Sequence, residues 1–111
     1  MGLFDMFKGG GSTDEISHDD LVGALQAKSV ALVDVREPGE YAAGHVEGAV
    51  NFPLSGFDAK RLPKGKPVVL ICRSGARSAQ ALAKARGAGL SDIRHYRGGC
   101  MGWSSAGGKL V

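Results

Sequence analysis

The chain has 111 residues, 43% of them apolar and 23% charged, which is one domain's worth of ordinary globular composition, able to bury a core unaided. Two cysteines do not make a disulfide framework, and the apolar runs are strand-sized, so a stapled scaffold and a membrane span are excluded. The net charge of +3 hides an asymmetry: residues 1–57 hold nine acidic and three basic side chains, residues 58–111 two acidic and eleven basic.

A positive field over the second half suits a small anionic substrate. Nucleic-acid binding is not expected, because the basic residues are spread along the chain and aromatics make up only 6%. The amino end lacks a basic segment followed by a long apolar core, and Met6 stands where myristoylation wants Ser or Thr. A cytoplasmic, reducing location and no membrane partner are therefore expected.

Residues 1–13 read as a flexible extension in which Leu3-Phe4-Asp5-Met6-Phe7 precedes a Gly-rich linker. Its apolar cluster is a candidate for self-association. Residues 14–111 read as the folded domain. A short strand near Glu15-Ile16 leads to Ser17, a good N-cap, with Asp19 and Asp20 in the first helical turn and Leu21, Ala24 and Leu25 on one face. His18 in that turn reads as a solvated surface residue. Val30 to Val35 is a buried strand interrupted by Asp34, whose carboxylate must find donors. Glu37 to Gly44 reads as a short helix with Pro38 in its first turn. A third strand covers Ala49 to Phe52, and residues 55–67 read as a weak helix and a basic turn.

Val68-Val69-Leu70-Ile71-Cys72 is an uninterrupted run of the kind found in a strand buried on both faces. A Gly-containing loop follows, then the helix formers Ala79 to Arg86. Ile93 to Tyr96 is the last strand, Gly98-Gly99 punctuates it, and Met101 and Trp103 begin a final short helix. The alternation predicts a single α/β domain with a central five-stranded parallel sheet and helices on both faces.

Cys72 thus stands at the carboxyl end of a central strand and faces the amino end of a helix, where open α/β sheets place their chemistry. Free N–H groups, the helix dipole, Arg73 and Arg77 all favour an anion there. A thiol in such a setting falls from about 8.5 into the range of about 3.5–7.5 and is a thiolate at neutral pH. An inert buried cysteine is the competing reading, and the polar, basic loop argues against it.

Other motifs fail. Gly87-Ala88-Gly89 lacks a third glycine and precedes a strand, and Gly107-Gly108-Lys109 is followed by Leu110, with Trp103 where a phosphate loop needs its first glycine. His18, His45, His95, Cys72 and Cys100 show no short ligand pair, so neither metal nor cofactor is expected. Cysteine phosphatases carry Cys-x5-Arg. Here Arg77 gives Cys-x4-Arg, a loop one residue short.

Four segments in order resemble the single-domain rhodanese-like sulfurtransferases, over residues from about 14 to 105. They are Asp34-Val35-Arg36-Glu37, the stretch Tyr41 to Asn51 with Gly44-His45-Val46-Glu47-Gly48 within it, the loop Cys72-Arg73-Ser74-Gly75-Ala76-Arg77-Ser78, and Gly98-Gly99 with Trp103. The resemblance implies a persulfide on Cys72. The donor, thiosulfate or a similar small anion, would be held by Arg73, Ser74, Gly75, Ala76, Arg77 and Ser78. A thiol or cyanide would take the sulfur, with a sulfur-accepting protein as a further partner. A non-enzymatic persulfide carrier or protein-interaction module on the same fold is the alternative, and a phosphatase or arsenate reductase comes third. Asp34, Arg36 and His45 have good structural readings and are kept out of the catalytic set. Cys100 departs from the family pattern, and either resolves the persulfide as a disulfide or is an inert core residue.

Overall fold

In the structure, a computed structural model that describes residues 14–111, four strands form: β1 (Ala31–Asp34), β2 (Val50–Asn51), β3 (Val68–Ile71) and β4 (Ile93–His95). They lie in the order β2-β1-β3-β4 and are all parallel. Helices α1 (His18–Ala27), α2 (Pro38–Ala43), α3 (Ala76–Gly87) and α4 (Gly99–Ser105) accompany them, with 3₁₀ turns at Leu54–Gly56 and Ala59–Arg61. The expectations for residues 1–13 lie outside the described residues.

The connections explain the layers. From β1 the chain passes through α2 to β2 on one side; it then returns past β1 to β3, and through α3 to β4 on the other. Parallel crossovers are right-handed in nearly all folds, so reversing direction moves the connection to the opposite face of the sheet. Accordingly Leu21 of α1, Tyr41 of α2 and Trp103 of α4 pack with Leu32, Val69 and Ile71 on one face. Ala81, Leu82 and Ala85 of α3, with Leu54, Phe57 and Leu62, pack with Val33, Val68, Leu70 and Cys72 on the other. All four residues of β3 are buried, as its unbroken apolar run requires. Burying each such side chain contributes about 1.5–3 kcal/mol. A charge placed at Leu70 would have no partner.

The reversal falls between β1 and β3, and the crevice at their carboxyl ends is where such sheets bind ligands. Asp34 closes β1 there, and Cys72 follows β3 directly.

The expected fifth strand is not formed as a strand. Glu15 makes an isolated bridge to His95, with Ile16 N–H donating to His95 O and His95 N–H to Asp14 O. Ser17 then caps α1 at once, its hydroxyl accepting from Asp20 N–H, so no residues remain to continue the ladder. Residues 55–67 give short 3₁₀ turns instead of a helix, and the basic stretch that follows has no apolar face to bury. His18 is only half-exposed: its Nδ1 lies 2.9 Å from Tyr96 Oη and its ring packs near Trp103.

Candidate active site

Helix α3 starts three residues earlier than its run of helix formers implies. Gly75 is its N-cap, so Ala76, Arg77 and Ser78 form the first turn, and the true loop is only Arg73-Ser74-Gly75. Gly75 adopts φ +105°, and a Cβ there would lie 2.3 Å from Arg97 O. Both facts demand glycine. Gly99 closes the loop from the other side: at φ +66° its own Cβ would meet Arg73 O at 2.3 Å. Cys100 N–H donates to Cys72 O at 2.8 Å, and Met101 N–H to Arg73 O. The second of the two glycines lets the start of α4 press against the Cys72 loop.

Cys72 is 1% exposed and forms the floor of this loop, below exposed Arg73, Ser74 and Ala76. Gly75 N–H donates to its sulfur at 3.1 Å, and Ser78 Oγ lies 3.6 Å away. Burial pushes the thiol up, but the Ser78 hydroxyl and the N–H groups of Ser78, Gly75 and Ser74 outweigh it, and the thiol ends below its ordinary value. The Ser78 hydroxyl leads, and the free N–H groups of the helix start add to it; neither Arg73 nor Arg77 is among these causes.

Of the two arginines expected beside the sulfur, only Arg73 is exposed without an ion pair among the described residues. Arg77 is held by Glu40 of α2, with Nη1 and Nη2 donating to its two carboxylate oxygens at 2.6 and 2.9 Å. That hydrogen-bonded pair draws the Glu40 carboxyl down to about 2, against partial burial and aided by Glu37 N–H. Glu40 was missed from sequence because 37 positions separate it from Arg77; only its place in α2 brings it to the loop.

Two further partnerships surround the site. Asp34 is fully buried and accepts from Arg36 N–H at 2.9 Å, Nε at 3.0 Å and Nη2 at 2.7 Å, while Nη2 also donates to Gly44 O. Asn51 bridges to Asp34 O and Arg36 O. His45 stacks on Tyr41 at 3.8 Å and its Nδ1 lies 2.8 Å from Tyr41 O, fixing the turn after α2. These contacts tie strand ends to loops. None of the three touches the sulfur.

Cys100 packs with Tyr96 and Trp103 on the face of the sheet opposite the Cys72 side chain. Burial raises its thiol to about 11, where it is neither a thiolate nor a ready resolving group. Among the described residues no group of three His, Cys, Asp or Glu side chains is placed to hold a metal ion. No described helix is long and apolar enough to cross a membrane. An open apolar groove beside α1, lined by Val22, Leu25, Val30 and Trp103, contains none of residues 72–78.

The chain belongs to the family defined by the rhodanese-like domain, whose model matches residues 17–106. A protein named sulfurtransferase from Allochromatium vinosum is 36% identical over 101 residues, covering 88% of this chain and 94% of that one. A thiosulfate sulfurtransferase, GlpE of Pseudomonas entomophila, is 34% identical over 85 residues, covering 74% and 77%. A Synechocystis relative is 44% identical over 84 residues, or 74% of this chain, and the match spans only 47% of that protein's length. Among solved structures, a rhodanese-related protein of Thermoplasma volcanium superposes with a TM-score of 0.79 at 32% identity, covering 88% of this chain and 97% of that one.

Proposed function

We propose that the protein is a sulfurtransferase that carries sulfane sulfur on Cys72. The observation that carries this reading is the sulfur itself, at the switch point of the sheet, with Gly75 N–H at 3.1 Å and the first turn of α3 above it. The names of the Allochromatium and Pseudomonas relatives agree with it. The Cys72 thiolate attacks the outer sulfur of thiosulfate or a similar donor. The sulfur–sulfur bond of the donor breaks and sulfite leaves with the electron pair. The Cys72 persulfide anion then sits where the loop N–H groups and the Ser78 hydroxyl can donate to it. Cyanide or a thiol attacks its terminal sulfur and regenerates the thiolate, a two-step covalent route with ping-pong kinetics.

Arg73, Ser74 and Ala76 form the exposed rim through which the donor enters, with Gly75 and Ser78 beneath. Arg73 attracts the dianion directly. Arg77 contributes from its pair with Glu40, so its pull is partly neutralised.

Intact mass before and after thiosulfate, on wild type and Cys72→Ser, tests the reading. A gain of one sulfur atom in the wild type alone is expected, followed by its loss on adding cyanide with turnover. No gain refutes Cys72 as the acceptor. A gain without multiple turnover on any small thiol or cyanide refutes the enzyme and leaves a persulfide carrier.

A further inference from the structure

Ser78 is the most enclosed hydroxyl at the site, with 0% exposure, and three polar atoms converge on it. Its Oγ donates to Gly75 O at 3.1 Å, lies 3.6 Å from Cys72 Sγ, and lies 2.8 Å from Nδ1 of His95. His95 is itself buried, 6% exposed, and reaches this point because it shares a face of β4 with Ile93, two residues before it. Ile93 belongs to the same core as Cys72, so the imidazole comes to the α3 face.

A hydroxyl has one proton to donate and two lone pairs. If Ser78 gave its proton to Nδ1, the sulfur would receive nothing from it. With the proton on Nδ1 every group is satisfied in both states of the thiol. In the thiol state Ser78 accepts from Nδ1–H and from S–H, and donates to Gly75 O. In the thiolate state it still accepts from Nδ1–H and turns its own proton to the sulfur. Gly75 O is not orphaned by that turn, because Ala79 N–H donates to it at 3.0 Å.

We infer that His95 is a positioning residue that, by donating its Nδ1–H to Ser78, commits the Ser78 hydroxyl to the Cys72 thiolate and to the persulfide that follows. The inference rests on the reading of Cys72 as the sulfur-carrying nucleophile. Burial holds the imidazole below its ordinary range, with Glu15 and Asp14 favouring its protonation and Arg97 and Arg86 opposing it. The ring is therefore neutral at neutral pH, which leaves one N–H to place, and Ser78 is where it goes.

The experiment is the pH dependence of iodoacetamide alkylation at Cys72, read by peptide mass so that Cys100 does not contribute. It needs no sulfur donor, so it stands even if the protein transfers no sulfur. His95→Leu removes the donor and should raise the apparent thiol pKa and slow alkylation at pH 7 by about tenfold, the scale of one hydrogen bond to an anion. His95→Asn keeps an N–H at the Nδ1 position and should restore most of the rate. In a Ser78→Ala background, His95→Leu should add nothing further. Urea midpoints identify any variant that has lost its fold, and His95→Asn then carries the comparison. The inference is overturned if His95→Leu keeps the wild-type profile, if His95→Asn is as slow as His95→Leu, or if the His95→Leu effect persists undiminished without Ser78.

Discussion

Replacing Glu40 by Gln removes the charge that holds Arg77 while leaving a side chain that can still accept from Glu37 N–H in the capping box of α2. The Glu40 carboxyl is drawn from 4.5 to about 2, chiefly by the hydrogen bonds from Arg77. Taken at face value such a shift is ~3 kcal/mol. Both side chains are about a third exposed, at 31% and 36%, so water screens most of that. About 1 kcal/mol is the expected contribution to stability at pH 7. The folded-state value is depressed, so the contribution is complete above about 4.5 and is lost as pH falls through that value towards 2. With a urea slope of about 1 kcal/mol per M for a domain of this size, Glu40→Gln should lower the midpoint by about 1 M at pH 7. The difference should shrink towards zero near pH 2. The same change releases the Arg77 guanidinium to the donor, so the thiosulfate KM should fall at low salt, whereas Arg77→Ala should raise it. A midpoint difference that does not shrink on acidification refutes the linkage. A KM that moves the same way in both variants refutes the placing of Arg77 in donor attraction.

Three other outcomes follow from the geometry. Gly75→Ala forces a side chain into φ +105° and against Arg97 O, so it should cost about 2–3 kcal/mol in urea unfolding and slow alkylation of Cys72 by displacing the N–H that faces its sulfur; unchanged stability and reactivity would contradict the loop geometry. Asp34→Asn leaves the Arg36 guanidinium buried without its carboxylate and should cost about 3–5 kcal/mol, measured by the same unfolding, and a loss below 1 kcal/mol would show that the pair is not enclosed. Cys100→Ser should leave kcat for sulfur transfer near the wild-type value and should not prevent peroxide inactivation, because the Cys100 side chain lies on the other face of the sheet from that of Cys72; a Cys72–Cys100 disulfide found by peptide mass would overturn that placement.

Much of this molecule is written in its local sequence. The unbroken run Val68 to Ile71 can only be a strand covered on both faces, and the thiol that follows it must emerge at the strand end, where the next helix begins. Hydrophobic period, capping residues and glycines act over a few positions, so they mark the buried strands, the cap of α1 at Ser17 and a helix start facing Cys72. What they do not fix is who stands across from whom. The strand expected at Glu15-Ile16 dwindled to a bridge because the cap at Ser17 competes for the same residues. Arg77 looks free for an anion until α2 brings Glu40 to it, and His95 looks like a strand residue until the register of β4 on β3 sets it beside Ser78. Cys100 follows the paired glycines and sits one hydrogen bond from the Cys72 backbone, yet the two thiols belong to cores on opposite faces of the sheet. The Ser78–His95 and Glu40–Arg77 pairings join residues 17 and 37 positions apart through a particular packing of helices on a sheet. No short-range pattern carries that information, and only the tertiary structure decides it.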